Sequence, residues 1–142
     1  MSYDPENIFA KILRDEIPAT KVYEDGQTLV FMDIMPRADG HCLVIPKTPC
    51  RNLLDAGADQ LASVMLTTQR MARAVMAAFD AGGVTIQQFN EGPGGQEVFH
   101  LHFHVLPRHE GVALRPPGQM AEAEVIAAHA EKIRAALEDI PR

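Results

Sequence analysis

The sequence predicts an α+β domain built on a largely antiparallel five-stranded sheet, with a short N-terminal helix, a long central helix and a C-terminal helix. Three observations lead there. The elements follow one another as α-β-β-β-α-β-β-α, and the strands are joined by hairpins or by one helix, which favours antiparallel neighbours with the helices on one face. An Asp25-Gly26-Gln27 turn between two apolar runs marks a hairpin. Residues 99–105 alternate apolar and polar side chains, the period of a strand.

The elements come in order. From Asn7 to Glu16, Ile8, Phe9, Ile12 and Leu13 recur at helical spacing, and Pro18 lies just beyond as a stop. Lys21 to Glu24 and Thr28 to Ile34 form the hairpin arms. A loop through Pro36, Arg37, Asp39 and Gly40 leads to a third strand, His41 to Ile45, closed by Pro46. Parity puts His41, Leu43 and Ile45 on one face and Cys42 and Val44 on the other, so Cys42 reads as buried packing and not as a partner of His41.

Between about Asp59 and Asp80, Leu61, Val64, Met65, Met71, Ala72, Val75, Ala78 and Phe79 repeat at three and four, and Gly82-Gly83 is the expected stop. The methionines there read as core filler. Val84 to Phe89 is a fourth strand, and Asn90 to Gln96 a glycine-rich polar loop. Val98 to Leu106 is a fifth strand, ended by Pro107. After an irregular stretch, Ile126, Ala130, Ile133, Leu137 and Ile140 line one side of a terminal helix, with His129 off that stripe and expected in solvent.

Length and composition set bounds. A chain of 142 residues is expected to be one domain spanning 1–142, its core at about 7–109 and a helical extension at about 119–140. At 46% hydrophobic and 23% charged it reads as globular. A net charge of −6 without any Lys/Arg cluster argues against polymeric nucleic acid, although a single nucleotide needs only local donors. Residues 1–7 carry Asp4 and Glu6 and no apolar core, so no export signal is expected, and no apolar run reaches membrane-spanning length. Two cysteines, Cys42 and Cys50, do not suggest a disulfide framework, and a cytoplasmic setting is expected.

The chemistry concentrates in His100-Leu101-His102-Phe103-His104-Val105, where three of the six histidines fall. On a strand these three imidazoles face one way while Phe99, Leu101, Phe103 and Val105 face the other. Three readings are open. A buried strand with hydrogen-bonded histidines requires a partner for each ring. A metal site is limited by reach, since next-but-one strand residues sit roughly 6.6 Å apart and the outer pair roughly 13 Å, so further ligands are needed. Acid–base or nucleophilic chemistry on an anionic substrate uses the one side chain that titrates near neutrality. An imidazole attacking phosphorus needs one free ring nitrogen, with the proton on the other held by an acceptor. His102, flanked on both sides, is the best-placed nucleophile, and Gly92, Gly94 and Gly95 just upstream let backbone N–H groups approach an anion.

These residues resemble the histidine triad (HIT) family, whose signature of three histidines alternating with apolar residues is matched by residues 100–106. Asp33-Ile34 ahead of Gly40 to Lys47, then Asn90-Glu91-Gly92 and Gly94-Gly95-Gln96, are similar to further family blocks, and the resemblance runs from about residue 7 to 109. It implies the HIT-like fold and a nucleotide hydrolase or transferase acting at the α-phosphate, closest to Hint-like and bacterial members. By that resemblance His102 forms a nucleotidyl-histidine, His104 contacts the phosphate and assists the leaving group, His100 orients His102, and His41 completes the cluster. Asp33 would bind ribose hydroxyls, and Ile8, Phe9, Phe31 and Ile34 would line the base pocket. Asn90, Gly95 and Gln96 would touch phosphate or leaving group. A purine nucleoside phosphoramidate is the implied substrate, with dinucleoside polyphosphate hydrolysis or nucleotide binding with weak catalysis as alternatives. Homodimers with one continuous sheet are implied, and no cofactor. The structural zinc of many bacterial relatives is not expected, because Asn7, Ala10 and Pro49 stand where its ligands would be. Glu97 replaces a serine that contacts phosphate in Hint proteins.

Overall fold

The structure, a computed structural model, describes residues 2–141; Met1 and Arg142, the ends of the expected 1–142 domain, lie outside the described residues. Five antiparallel strands form one sheet in the order β1-β2-β3-β5-β4: β1 (Lys21–Glu24), β2 (Thr28–Met32), β3 (Cys42–Pro46), β4 (Gly83–Gln87) and β5 (Phe103–Arg108). Three helices accompany it, α1 (Ile8–Leu13), α2 (Ala58–Ala78) and α3 (Ala123–Leu137). Among the described residues no helix is long and apolar enough to cross a membrane.

The central strands β2, β3 and β5 are buried on both faces. Val30, Met32, Cys42, Val44, Leu101, Phe103 and Val105 pack with α2 and α3 through Val64, Met71, Val75, Ala130 and Ile133. Leu29, Phe31, Leu43 and Ile45 pack with Phe9 and Ile12 of α1 on the other face. The parity assigned to β3 therefore holds. The helices do not all share one face: α1 covers the side that the histidines also occupy, because its apolar residues meet the alternate set of strand side chains. Cys42 and Cys50 are both buried free thiols.

Helix ends depart from the sequence reading for one recurring reason. The Asn7 side chain caps α1 by accepting the Ala10 N–H (2.9 Å). The helix then stops well before Pro18, because Asp15 adopts φ 61° and the Glu16 N–H turns back to the Lys11 carbonyl at 2.9 Å. At the end of α2 the left-handed residue is Asp80 (φ 47°), with Ala81 N–H to Met76 O at 3.1 Å. Gly82-Gly83 is not the stop; Gly83 opens β4. Aspartate tolerates this conformation better than most residues.

The histidine segment is the main correction. The ladder covers only Phe103–Arg108, so His104 is the one triad histidine on a strand. The β3–β5 register sets Cys42 opposite Val105 and Val44 opposite Phe103, which would bring Pro46 opposite Leu101. Proline has no N–H to continue the ladder. Leu101 instead gives its N–H to Cys50 O (2.9 Å). The side chains still alternate: Leu101, Phe103 and Val105 are buried in the α2/α3 core, while Phe99 lies under the Arg51 guanidinium, 4.2 Å from its centroid. Pro107 does not end β5, since β3 has already stopped pairing at Cys42 and no ladder bond on that side is lost. His129 is half-buried, not solvated, and packs edge-on to Phe79 at 5.3 Å.

Candidate active site

The four histidines meet on the α1 face, where hydrogen bonding fixes the proton on each ring. A carbonyl only accepts, so the 2.8 Å contact from His100 Nε2 to Pro46 O requires an N–H at Nε2. His100 Nδ1 then accepts from the Tyr3 hydroxyl at 2.6 Å. By the same reasoning His102 Nδ1, 2.7 Å from His100 O, carries the proton. Among the described residues nothing bonds to His102 Nε2, so its lone pair is left uncommitted. That is the free ring nitrogen a nucleophile needs.

The second pair is fixed from the other side. The backbone N–H of Arg37 donates to His41 Nδ1 (3.1 Å), so neutral His41 carries its proton on Nε2. His41 Nε2 lies 2.9 Å from His104 Nδ1 and 3.5 Å from Asp33 Oδ2. His104 Nδ1 is thereby the acceptor, and its Nε2 holds an N–H. A lone pair on His102 and an N–H on His104 sit on rings whose centroids are 5.0 Å apart.

Burial keeps all four rings uncharged. It pushes His41 down to about 4, helped by the cations Arg37 and Arg115 and then by His102. His100 is also pushed to about 4 by burial. His104 falls to about 3 through burial first, then His102, His41 and Arg37. His102 is lowered chiefly by burial, with the His100 carbonyl opposing. Asp33 is raised by burial against the pull of the Met35 N–H on its Oδ1.

Asp33, His41 and His104 bring three possible ligand atoms within 4.8 Å of one another, the spacing a metal ion would use. The donor set fits poorly. His41 would have to ligate through Nε2, the nitrogen that bears the proton while Arg37 occupies Nδ1.

Phe9 stands edge-on to both Phe31 (5.2 Å) and His102 (4.9 Å), forming a buried apolar wall beside the nucleophile. Ile8 and Ile34 are half exposed, at 50% and 52%, on the α1 and β2–β3 sides. Asn90 uses Oδ1 to accept the Leu53 N–H and the Gln88 amide, and one Nδ2 proton on Gln88 Oε1, each at 2.9 Å. One Nδ2 proton is then left over.

The glycine loop is organised differently from expectation. The N–H groups of Gly94, Gly95 and Gln96 close turns on Glu91 O and Gly92 O, at 3.0, 2.9 and 3.1 Å, and are not presented to solvent. Gly95 takes φ 99° against the Phe89 ring. The Gln96 side chain is buried, and its four bonds go to Glu91 N–H (2.8 Å), Asn52 Nδ2 (3.0 Å), Arg51 O (2.8 Å) and Val98 O (3.0 Å). Gln96 thus ties the loop to the body. Glu91, at φ 64°, accepts two bonds from Arg51 (2.8 and 2.9 Å) and one from Asn52 (2.6 Å). Glu97 is exposed. Sequence reasoning missed Tyr3, Arg51 and Asn52, and gave Glu91 no role beyond its place in the Asn90-Glu91-Gly92 block. Of the three missed, only Tyr3, a lone aromatic in a polar stretch, left a signal.

The sequence model of the HIT domain matches residues 14–111. The chain belongs to the HIT family. A crystal structure of a Hit-like protein involved in cell-cycle regulation from Bartonella henselae, with unknown ligand, superposes with a TM-score of 0.90 at 51% identity, covering 95% of this chain and 99% of that one. A hypothetical histidine triad nucleotide-binding protein of Sulfolobus tokodaii gives a TM-score of 0.87 at 30% identity over 93% and 92% of the two chains. A HIT-like protein of Synechococcus elongatus is 47% identical over 105 residues, 71% of this chain and 89% of its own. The family match ends before α3, whereas the B. henselae structure extends over nearly the whole HIT protein described here.

Proposed function

We propose that the protein is a nucleotide hydrolase or transferase that acts at the α-phosphate through a nucleotidyl-His102 intermediate and releases a nucleoside 5′-monophosphate. One observation carries this: His102 holds its proton on Nδ1 against the His100 carbonyl, leaving Nε2 free beside the N–H-bearing His104. In the first step His102 Nε2 forms a bond to phosphorus as the bond to the leaving group breaks. The His104 Nε2 proton goes to a departing amine nitrogen. In the second step water adds to phosphorus, its proton returns to His104, and the His102–phosphorus bond breaks. His100 orients His102 through its carbonyl, and His41 holds the tautomer of His104.

A purine nucleoside phosphoramidate is the substrate this reading favours. Phe9 and Phe31 would back the base, with Ile8 and Ile34 at its edges. Asp33, with Oδ2 not committed to backbone, would take the ribose hydroxyls. The spare Nδ2 proton of Asn90 would meet a phosphate oxygen, and Gly95 would allow close backbone approach, with Gln96 holding the loop in place. The S. tokodaii relative's description as nucleotide-binding supports the ligand class. The four imidazoles supply this chemistry without a metal. The chain would act as a single HIT domain with its C-terminal extension, in a reducing cytoplasm consistent with two free thiols. A homodimer is supported by β4, an edge strand that carries exposed Ile86.

Dinucleoside polyphosphates form a second reading. The Arg37 guanidinium lies close enough to His41 and His104 to depress both, a setting suited to an anionic leaving group. Incubation with adenosine phosphoramidate and with diadenosine polyphosphates separates the two by rate. Acid-free quenching followed by mass spectrometry is expected to find the adduct on His102. His102→Ala should lose at least about a hundredfold in turnover; a smaller loss overturns the nucleophile assignment. Tight mononucleotide binding without adduct or turnover would leave a binding protein.

A further inference from the structure

From residue 112 on, the segment after β5 lies outside the span matched by the HIT domain, yet it clasps the β2–β3 loop that carries Asp33, Arg37 and His41. The Arg115 N–H donates to Arg37 O (2.8 Å), and Arg37 Nε donates to Arg115 O (2.7 Å). Further along, the Ala121 N–H donates to Ile34 O (3.1 Å). The Arg115 side chain makes two more contacts: Nη1 donates to Pro36 O at 3.2 Å, and Nη2 pairs with Asp39.

The contact with Pro36 reaches the proton pattern of the site. The carbonyl of Pro36 and the N–H of Arg37 are the two ends of one planar peptide unit, pointing in opposite directions. One end accepts from the Arg115 guanidinium, and the other donates to His41 Nδ1. A charged donor at the carbonyl both fixes the rotation of the plane and polarises its N–H, since hydrogen bonds in series strengthen one another. If the plane swings, His41 loses the donor that reserves Nδ1 as acceptor, and its proton is free to sit on either nitrogen.

We propose that Arg115 is a positioning residue that sets the tautomer of His41, and through it the proton on His104 Nε2, by clamping the Pro36–Arg37 peptide. The kinetic consequence rests on the proposed function; the tautomer itself does not. Only departures that need a proton depend on the relay. Ammonia leaving from a phosphoramidate takes the His104 proton as the P–N bond breaks, whereas 4-nitrophenolate leaves with its electron pair and takes none.

The test compares the full-length protein with Arg115→Met, which removes the donor and keeps the chain length, and Arg115→Lys, which keeps a cationic donor. Long-range 1H–15N correlation spectra are expected to show His41 as the Nε2–H tautomer in the wild type and as a mixture in Arg115→Met, with Arg115→Lys largely restored. With adenosine phosphoramidate, kcat should fall about tenfold in Arg115→Met at unchanged KM. With the 4-nitrophenyl ester of AMP, kcat should stay within about twofold. An unchanged His41 tautomer in Arg115→Met overturns the proposal, as does an equal fall on both substrates that tracks loss of thermal stability. Absence of turnover in the wild type would overturn the proposed function, while the spectra still decide the role of Arg115.

Discussion

Acid should unfold this protein through its own site. His41 and His100 are held near 4 and His104 near 3, against about 6.5 for a histidine in an unfolded chain. Because the folded values are depressed, the native state binds fewer protons than the unfolded one between pH 6.5 and about 4. Stability is therefore intact above pH 6.5 and lost as pH falls through that window. Each ring contributes about 1.4 kcal/mol per pH unit where the unfolded form is protonated and the native form is not. Three rings give about 4 kcal/mol between pH 6 and 5, a large share of the 5–15 kcal/mol typical of a folded domain. Urea unfolding followed by far-UV circular dichroism at half-unit steps from pH 7.5 to 4.5 measures this slope. About three protons taken up on unfolding near pH 5 is the expected result. A slope below one proton would mean that these rings are charged or solvated in the native state, and the tautomer assignments would fall with it.

Other perturbations probe separate supports. Gly40→Ala should destabilise by about 2–5 kcal/mol, because Gly40 has φ 86° and an added Cβ would lie 2.3 Å from the Phe79 ring; thermal denaturation reads the loss. Gln96→Ala should cost about 3 kcal/mol by stranding the partners of its four bonds, and amide exchange should rise across residues 91–98 before it rises in the strands. Tyr3→Phe leaves His100 Nδ1 without its donor at a cost of about 1–3 kcal/mol, and chemical denaturation should show it with β5 otherwise unperturbed.

The parts of this fold that were legible are those written in a local period. The 3.6-residue stripes of α2 and α3 and the alternation through Leu101, Phe103 and Val105 largely reappear as buried faces, although Met65, expected as core filler in the α2 stripe, is exposed. Parity even survived where the ladder did not, since an extended chain alternates its side chains with or without a paired neighbour. Where the ladder begins was hidden, because it depends on Pro46 arriving opposite Leu101, a register set by two distant strands. Helix stops at Asp15 and Asp80 were hidden by the presence of better-known breakers nearby. The histidine cluster was visible as a pattern, but the proton on each ring was not. That information lies in carbonyls and amides of Pro46, His100 and Arg37, whose side chains say nothing about it. The Arg51–Asn52–Glu91–Gln96 network likewise joins residues some forty positions apart through ordinary polar side chains.

The two thiols offer a built-in depth gauge. Burial raises Cys42 to about 12 and Cys50 to about 11, so alkylating reagents meet almost no thiolate while the fold is closed. Cys42 sits in the middle of the sheet, whereas the backbone of Cys50 latches the stretch just before β5 through Leu101. Modification at the second site therefore counts momentary release of that latch, and modification at the first counts escape of the whole sheet. Timing the two on one sample would separate breathing near the histidines from complete unravelling without a single engineered label.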